Sequence, residues 1–462
     1  MTLKSFESLL REQPREQKAI VCNGSTLTYG ALLSQAEAEA DRLRTLYGAD
    51  LQGRLIPFRA EANVDFMVRY CGIHMAGGVA VPLDKALPNE LMTQYEALAD
   101  DVARKTASEG KRIVPEGTAD VLYTTGTTGK QKGVMISHRA IVANAENLIA
   151  AQGFASGLTF VVCGPLNHIG SLSKIYPTLM VGGTVSIVDG LKDLDAFFRA
   201  VEEAEGRVAT FMVPASIRML MTFGADRMPL LAQKMEFLET GAAAMAQSDM
   251  GALCKALPQT RLYNTYASTE TGIVCTHNFN AGPCTAGCLG PTMKHATLRI
   301  VGPDGQTMQA SETDGRVTVS GPMTMTGYLG DPELTAEVLT TDGVVMTRDM
   351  AHWDAEGRLI LTGRADDVIN IGGFKVAPTE VEDAALSVAW VKDCVCVAAK
   401  HMVLGTALKL IVQCDPADYK PRLLAQQLSQ MLEPHKVPML YERTERVERT
   451  FNGKINRKAY KE

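Results

Sequence analysis

The amino-acid sequence predicts an α/β fold: a large N-terminal domain of doubly wound sheets carrying a β subdomain, followed by a small mobile α+β C-terminal domain. Three observations carry that expectation. Length is the first, because 462 residues exceed what one hydrophobic core supports. The second is alternation: Arg207–Val213 reads as a strand, Ala215–Phe223 as a helix, Met235–Leu238 as a strand, Gln247–Ala256 as a helix and Arg261–Tyr266 as a strand. Strands and helices that alternate in this way build a doubly wound sheet. Third, the texture changes near Ala296 to short strands with turn signals, LRIVGPDGQ, GRVTVSG and GRLILTG, which predict an antiparallel subdomain. Beyond the polar stretch Arg364–Asp367 the order strand, helix, strand, strand, helix, strand runs to Val447. Residues 1–365 are therefore expected to form the N-terminal domain and residues 366–462 a C-terminal lid.

Composition narrows the classes further. Hydrophobic residues at 46% and charged residues at 21% match an ordinary globular chain and exclude a disordered, collagen-like or coiled-coil one. A net charge of −6 repels nucleic acid and anionic lipid, so neither is expected as a partner. The start, MTLKSFESLLREQPREQ, lacks the apolar core of a signal peptide, and no uncharged apolar run of about 18 residues follows, so no membrane span and a cytoplasmic location are expected. Ten cysteines are too sparse for a disulfide scaffold and are expected to be reduced and mostly buried. Cys275, His277, Cys284 and Cys288 fit no zinc-knuckle spacing and read as scattered thiols in a loop.

The stretch Leu122–Val134, LYTTGTTGKQKGV, holds three glycines, four threonines and two lysines after the strand-like ADVLY. Glycine lets backbone N–H groups turn toward an anion, threonine hydroxyls add donors, and lysine supplies charge without fixed geometry. The loop is therefore expected to hold phosphate. Two residues, not four, separate Gly126 from Gly129-Lys130, and Gln131 follows, so it is not a Walker A loop. No G-x-G-x-x-G occurs, which removes the main support for a dinucleotide oxidoreductase.

That loop resembles the signature loop of the adenylate-forming superfamily, which includes acyl- and aryl-CoA ligases, peptide-synthetase adenylation domains and firefly luciferase. Leu27–Leu32 and Met75–Asp84 resemble two early structural motifs of that family, and Asn264–Glu270 (NTYASTE) resembles the one that clasps adenine, phosphate and metal. Gly315–Tyr328, Thr347–Asp349, Gly363–Glu382 and Asn452–Arg457 resemble the remaining motifs in the expected order, so the resemblance spans nearly the whole chain. It implies ATP-dependent activation of a carboxylic acid to an acyl adenylate, release of pyrophosphate and transfer of the acyl group to a thiol, with ATP, Mg²⁺ and CoA as cofactors.

Roles follow by the same resemblance. Thr124, Thr125, Gly126, Thr127, Thr128, Gly129, Lys130 and Lys132 would grip the phosphates; Thr269 would touch the α-phosphate and Glu270 would help hold Mg²⁺. Tyr266 would stack on adenine and Asn264 bond its amino group, while Asp349 and Arg364 would hold the ribose. Lys454 would be the catalytic lysine that bridges the carboxylate and the α-phosphate. Asp366 matches the hinge position, and Gly373 the glycine of the thiol tunnel.

His168 matches a position beside the acid pocket, expected to be lined by Ile169, Gly170, Gly241, Ala242, Ala243 and Ala267. Amino-acid-activating relatives place an aspartate where this chain has Ile169, and an ammonium buried without a counter-ion is costly, so a non-amino aryl or aliphatic acid is expected. Three departures from the family pattern stand out: Ala267 where glycine is usual, Arg348 inside the usual Thr-Gly-Asp, and only about forty residues between Asp84 and Thr124. The short segment leaves two acceptors open, CoA first and a carrier-protein phosphopantetheine second. A nucleotide-binding module that had lost catalysis would be expected to lack Lys454 or Glu270, and both are present. A luciferase-like oxygenase would share the adenylation step and is a rare use of the fold. A homodimer is a further expectation.

Overall fold

The computed structural model describes residues 5–109, 113–125, 131–282, 284–308, 313–371, 374–401, 405–450 and 454–460. Its largest sheet has eight strands, in the spatial order Gly272–Asn278, Arg261–Ser268, Met235–Gly241, Arg207–Met212, Leu158–Val162, Thr184–Ile187, Lys18–Cys22 and Ser25–Thr28. The six inner strands are parallel and the outermost on each side pairs antiparallel. The chain passes from Leu158–Val162 to Thr184–Ile187 on one side and then returns to Arg207–Met212 on the other, which makes the carboxyl edge of Leu158–Val162 a topological switch point. His168 follows directly beyond that edge.

A second sheet of five strands, Gly327–Tyr328, Gln131–Ser137, Thr118–Thr125, Val79–Leu83 and Leu55–Arg59, lies across the helices His138–Gln152 and Ile169–Met180. Apolar residues from both sheets and both helices join in one core, which includes Phe58, Leu122, Ile141, Leu148, Leu172, Phe160 and Phe237. The short strands and turn signals beyond Ala296 correspond to the expected antiparallel sheet, whose order is Thr297–Val301, Gly315–Ser320, Val344–Trp353 and Leu359–Arg364.

From Ile369 onward the chain has a hydrophobic cluster of its own, in which Val381, Leu410, Val412 and Leu424 are buried. A hairpin (Ile369–Ile371 with Phe374–Val376), the helices Pro378–Leu386 and Pro421–Leu428, and a three-stranded sheet of Asp393–His401, Gly405–Gln413 and Leu440–Thr444 build it. The shortened stretch after Asp84 is spanned by one helix, Asn89–Glu109, whose Ala99 and Val102 pack on Leu55, Val79 and Val81. All ten cysteines are free thiols, eight of them buried. Among the described residues no helix is long and apolar enough to cross a membrane.

Candidate active site

The site is assembled from residues that follow the carboxyl ends of the inner strands. His168 caps the helix Ile169–Met180, its Nδ1 accepting from the Gly170 N–H at 3.1 Å, which leaves the proton of the neutral ring on Nε2. Burial, and secondarily the Lys454 ammonium, push the His168 pKa down to about 4, so the ring is neutral at physiological pH. Ile169 is buried beside it and Gly170 faces the ring of Phe211. Gly241 abuts the same ring, and a side chain there would meet the Thr265 carbonyl at 2.6 Å, so only glycine lets these neighbouring strands end together. Ala242 adopts φ +65°, a left-handed conformation that L residues with a side chain adopt only at a cost. Ala243 follows it, and Ala267 is half-buried where the pairing of Arg261–Ser268 with Gly272–Asn278 shifts register. The expected acid-pocket residues thus come from three separate strand ends.

Thr269 and Glu270 occupy a tight turn. Ser268 N–H donates to the Thr271 hydroxyl and Thr271 N–H donates to the Ser268 hydroxyl, both at 3.0 Å. This reciprocal pair fixes the two intervening side chains, and Met325 N–H anchors the Glu270 carbonyl at 2.9 Å. The Tyr328 hydroxyl donates to Glu270 Oε1 at 2.9 Å, and the Lys132 ammonium lies 5.4 Å from the Tyr328 ring centre. Lys132 lies opposite Thr124 in the ladder that joins Thr118–Thr125 to Gln131–Ser137, so both flank the glycine-rich loop. Gly126, Thr127, Thr128, Gly129 and Lys130 lie outside the described residues, as does the side chain of Thr125.

Asn264 donates its amide to the Cys288 carbonyl at 3.1 Å. That bond engages its donor end and leaves the acceptor end to serve an amino group. Tyr266 is buried, and its hydroxyl donates to Asp349 Oδ2 at 2.6 Å. Burial and the neighbouring carboxylate hold that phenol well above its ordinary pKa, so it remains a donor. Asp349 stands directly opposite Arg364 in the antiparallel ladder, with Nε and Oδ1 3.7 Å apart. Taken alone the pair would be a surface ion pair of small value. The Tyr266 bond ties it instead to the turn beside Glu270.

Lys454 joins the two halves. Desolvation and the Arg364 guanidinium hold its ammonium below the usual lysine range, while Asp349 and Glu270 pull it back up. The residue as a whole is exposed while its ammonium is desolvated, and His168, Glu270, Asp349 and Arg364 all lie within its electrostatic reach. One lysine therefore acts electrostatically on both His168 and residues expected to bind nucleotide. The Arg348 that interrupts the family pattern pairs with Asp366 at 2.7 Å, both about 42% exposed. Gly373 lies outside the described residues. Among the described residues the thiols near Cys275 form no metal-ligand cluster; the only such grouping is Glu7, His74 and His138, far along the sequence.

Tyr328 and Phe211 carry no individual sequence signal for these positions, although Tyr328 closes the GRVTVSGPMTMTGY motif. Lys174 and Glu239, a buried ion pair, are likewise silent, apart from a lone lysine inside the apolar helix IGSLSKIYPTLM.

Known proteins resemble this chain in sequence and in fold. A feruloyl-CoA synthase from Amycolatopsis is 31% identical over 470 aligned positions that cover 95% of this chain and 94% of the relative. Bacitracin synthase 1 from Bacillus licheniformis is 25% identical across 100% of this chain, which corresponds to 9% of that much longer protein. The ATP-bound structure of MatB from Rhodopseudomonas palustris superposes with a TM-score of 0.84 at 21% identity, over 99% of this chain and 98% of the other. The family model described as AMP-binding enzyme matches residues 92–329, just over half of the sequence, and the chain belongs to that family.

Proposed function

We propose that the protein is an AMP-forming acid–thiol ligase: it activates a non-amino carboxylic acid with ATP, releases pyrophosphate and passes the acyl group to the thiol of CoA. The observation that supports this reading is that the Lys454 ammonium acts electrostatically on His168 and is itself acted on by Glu270, Asp349 and Arg364, the last two being neighbours in one strand ladder. A substrate carboxylate and the α-phosphate are both anions, so the barrier to their approach is largely electrostatic, and a cation at the junction lowers it. Asp349, held by Tyr266, would accept from the ribose hydroxyls. Thr269 and the glycine-rich loop with Lys132 would supply phosphate donors, and neutral His168 would line the acid side without adding a charge.

The Glu270 carboxylate, positioned by Tyr328, is an oxygen donor suited to Mg²⁺. When bound, the ion would neutralise phosphate charge. Residues 1–365 would bind ATP and acid, and residues 366–462 would act as the lid that brings Lys454 in and, after rotating about Asp366, presents the tunnel containing Gly373. A carrier-protein thiol is the second reading. It is favoured by the short segment between Asp84 and Thr124 and by the likeness to bacitracin synthase 1.

The test is pyrophosphate release from ATP with pooled aryl and aliphatic acids, with hydroxylamine trapping of the adenylate. Release that requires both ATP and an acid, with a trapped hydroxamate, supports the proposal. Acid-independent release, or none, would refute it.

A further inference from the structure

A cluster of ligating side chains lies apart from the proposed active site, beside a cavity of about 510 Å³ lined in part by Glu7, His74 and His138. Glu7 comes from the helix Phe6–Leu10, His74 from the last turn of the helix Asp65–Met75, and His138 begins the helix His138–Gln152. One ligating atom from each stands within 4.8 Å of the other two. The two imidazoles meet edge to face, with ring centres 4.9 Å apart. Asp120, which backs the cluster, lies four residues before Thr124 in the strand Thr118–Thr125, about 13 Å along it from the glycine-rich loop. The cluster is thus remote from the chemistry proposed above.

Hydrogen bonding fixes the proton on one side of His74. Its Nε2 faces two groups that only accept, the Asp120 carboxylate at 3.0 Å and the Ala119 carbonyl at 3.1 Å, so Nε2 is a donor. The Tyr70 hydroxyl holds Asp120 in turn, at 2.8 Å. A carboxylate placed behind a histidine in this way orients the opposite nitrogen as a metal ligand. That nitrogen, Nδ1, meets Glu7 Oε1 at 2.8 Å, and a proton between them holds the place of a cation. His138 supplies a second, independent observation: its Nδ1 is buried and has no hydrogen-bond partner among the described residues. In the cavity wall Arg11 pairs with Glu37 at 2.6 Å and Arg44 with Asp41 at 2.9 Å, so these arginines are already neutralised.

We infer that Glu7, His74 and His138 bind a zinc-class divalent ion, with the fourth position open to the cavity for water. Two imidazoles and one carboxylate suit zinc, whereas magnesium and calcium favour oxygen ligands throughout. Ligands about 2.0–2.2 Å from zinc stand about 3.4 Å apart in a tetrahedron, so side-chain movements on the order of 1 Å close the set. The ion would tie the first helix to the five-stranded sheet and so act on stability, whatever reaction the protein catalyses.

The test titrates chelator-treated wild-type protein with Zn²⁺ and with Mg²⁺, following binding by calorimetry and the thermal midpoint, and records the visible spectrum with Co²⁺. One Zn²⁺ per chain is expected, with a midpoint raised by Zn²⁺ and not by Mg²⁺. The Co²⁺ spectrum is expected to lack a thiolate charge-transfer band, which separates this set from the cysteines. His138→Gln is expected to weaken Zn²⁺ binding by more than about 100-fold, beyond what loss of an outer partner costs. No Zn²⁺ bound by the wild type, equal midpoint shifts with both ions, a thiolate band, or undiminished affinity in His138→Gln would overturn the inference. The wild-type measurements decide it where the variant does not fold, and none of these outcomes bears on the ligase reading.

Discussion

In the proposed ligase, Lys454 would concentrate the chemistry in one side chain. Its ammonium is drawn toward Asp349 and Glu270 and repelled by Arg364, a balance suited to a charge that must meet two anions and then leave. Lys454→Ala is expected to slow adenylation on the order of 10²–10³, about 3–4 kcal/mol of transition-state stabilisation, while thioester formation from a preformed adenylate survives. Equal loss in both half-reactions would show that the residue acts structurally. Much of this scale is legible in the sequence because a family motif fixes residue type and order. The clasp of Tyr266 on Asp349 and of Tyr328 on Glu270 is not, because each joins residues far apart in the chain. Nor does motif order reveal that His168 caps a helix, since a cap depends on where the helix begins.

Among elements, the C-terminal segment shows how the chain around Lys454 is held. Arg457, three residues beyond Lys454, forks onto both oxygens of buried Glu382 in the helix Pro378–Leu386 and also donates to the Cys396 carbonyl at 2.9 Å. Arg457→Ala would leave Glu382 buried and unpaired, and is expected to destabilise the protein by about 3–5 kcal/mol in urea unfolding and to slow adenylation with it. Unchanged stability would contradict this role.

A second element-scale device lies where the helix Asp65–Met75 packs against the second sheet. His74 is buried between Glu7 at 2.8 Å and Asp120 at 3.0 Å, and the Tyr70 hydroxyl also donates to Asp120. Although burial opposes the imidazolium, these two carboxylates raise its pKa to about 10. A raised folded-state pKa gives stability that is complete below the ordinary histidine value and is lost as pH climbs through 10. The thermal midpoint is therefore expected to fall between pH 7 and 10, with a flatter profile in His74→Gln; identical slopes would exclude His74 as the cause. Periodicity located the strands Arg207–Met212 and Met235–Gly241 well. It passed over the helix Met228–Lys234, too short for a period to register, and the strand Val344–Trp353, whose mixed burial hides the alternation.

At the scale of the molecule, polar contacts hold the lid against the large domain. The Gln247 N–H, at the start of the helix Gln247–Ala256, donates to Asp383 Oδ1 at 2.7 Å, and that helix has no side-chain cap of its own. Arg218 pairs with Asp249 at 2.6 Å and with Asp393 at 3.5 Å, and Thr379 donates to the Thr362 carbonyl at 3.0 Å. Polar contacts of this kind would suit the proposed alternation of the C-terminal segment. Asp383→Ala removes the cap supplied across the interface. It is expected to slow adenylation about three- to tenfold and to spare thioester formation from preformed adenylate, as measured by single-turnover kinetics. No effect on either step would contradict a role for this contact in lid closure. The sequence foretold two bodies from length and the polar stretch after Gly363, but which residues meet across them depends on a docking that no local pattern encodes.

The central claim, acid activation followed by capture on a thiol, is tested most directly by incubating the protein with ATP, Mg²⁺, CoA and a pooled panel of acids and searching for new thioesters by mass spectrometry. The account predicts an acyl-CoA whose acid lacks an α-amino group, formed together with AMP. Absence of any acid-dependent AMP would contradict it, and AMP with acyl adenylate but no acyl-CoA would contradict CoA as the acceptor and point to a carrier-protein thiol.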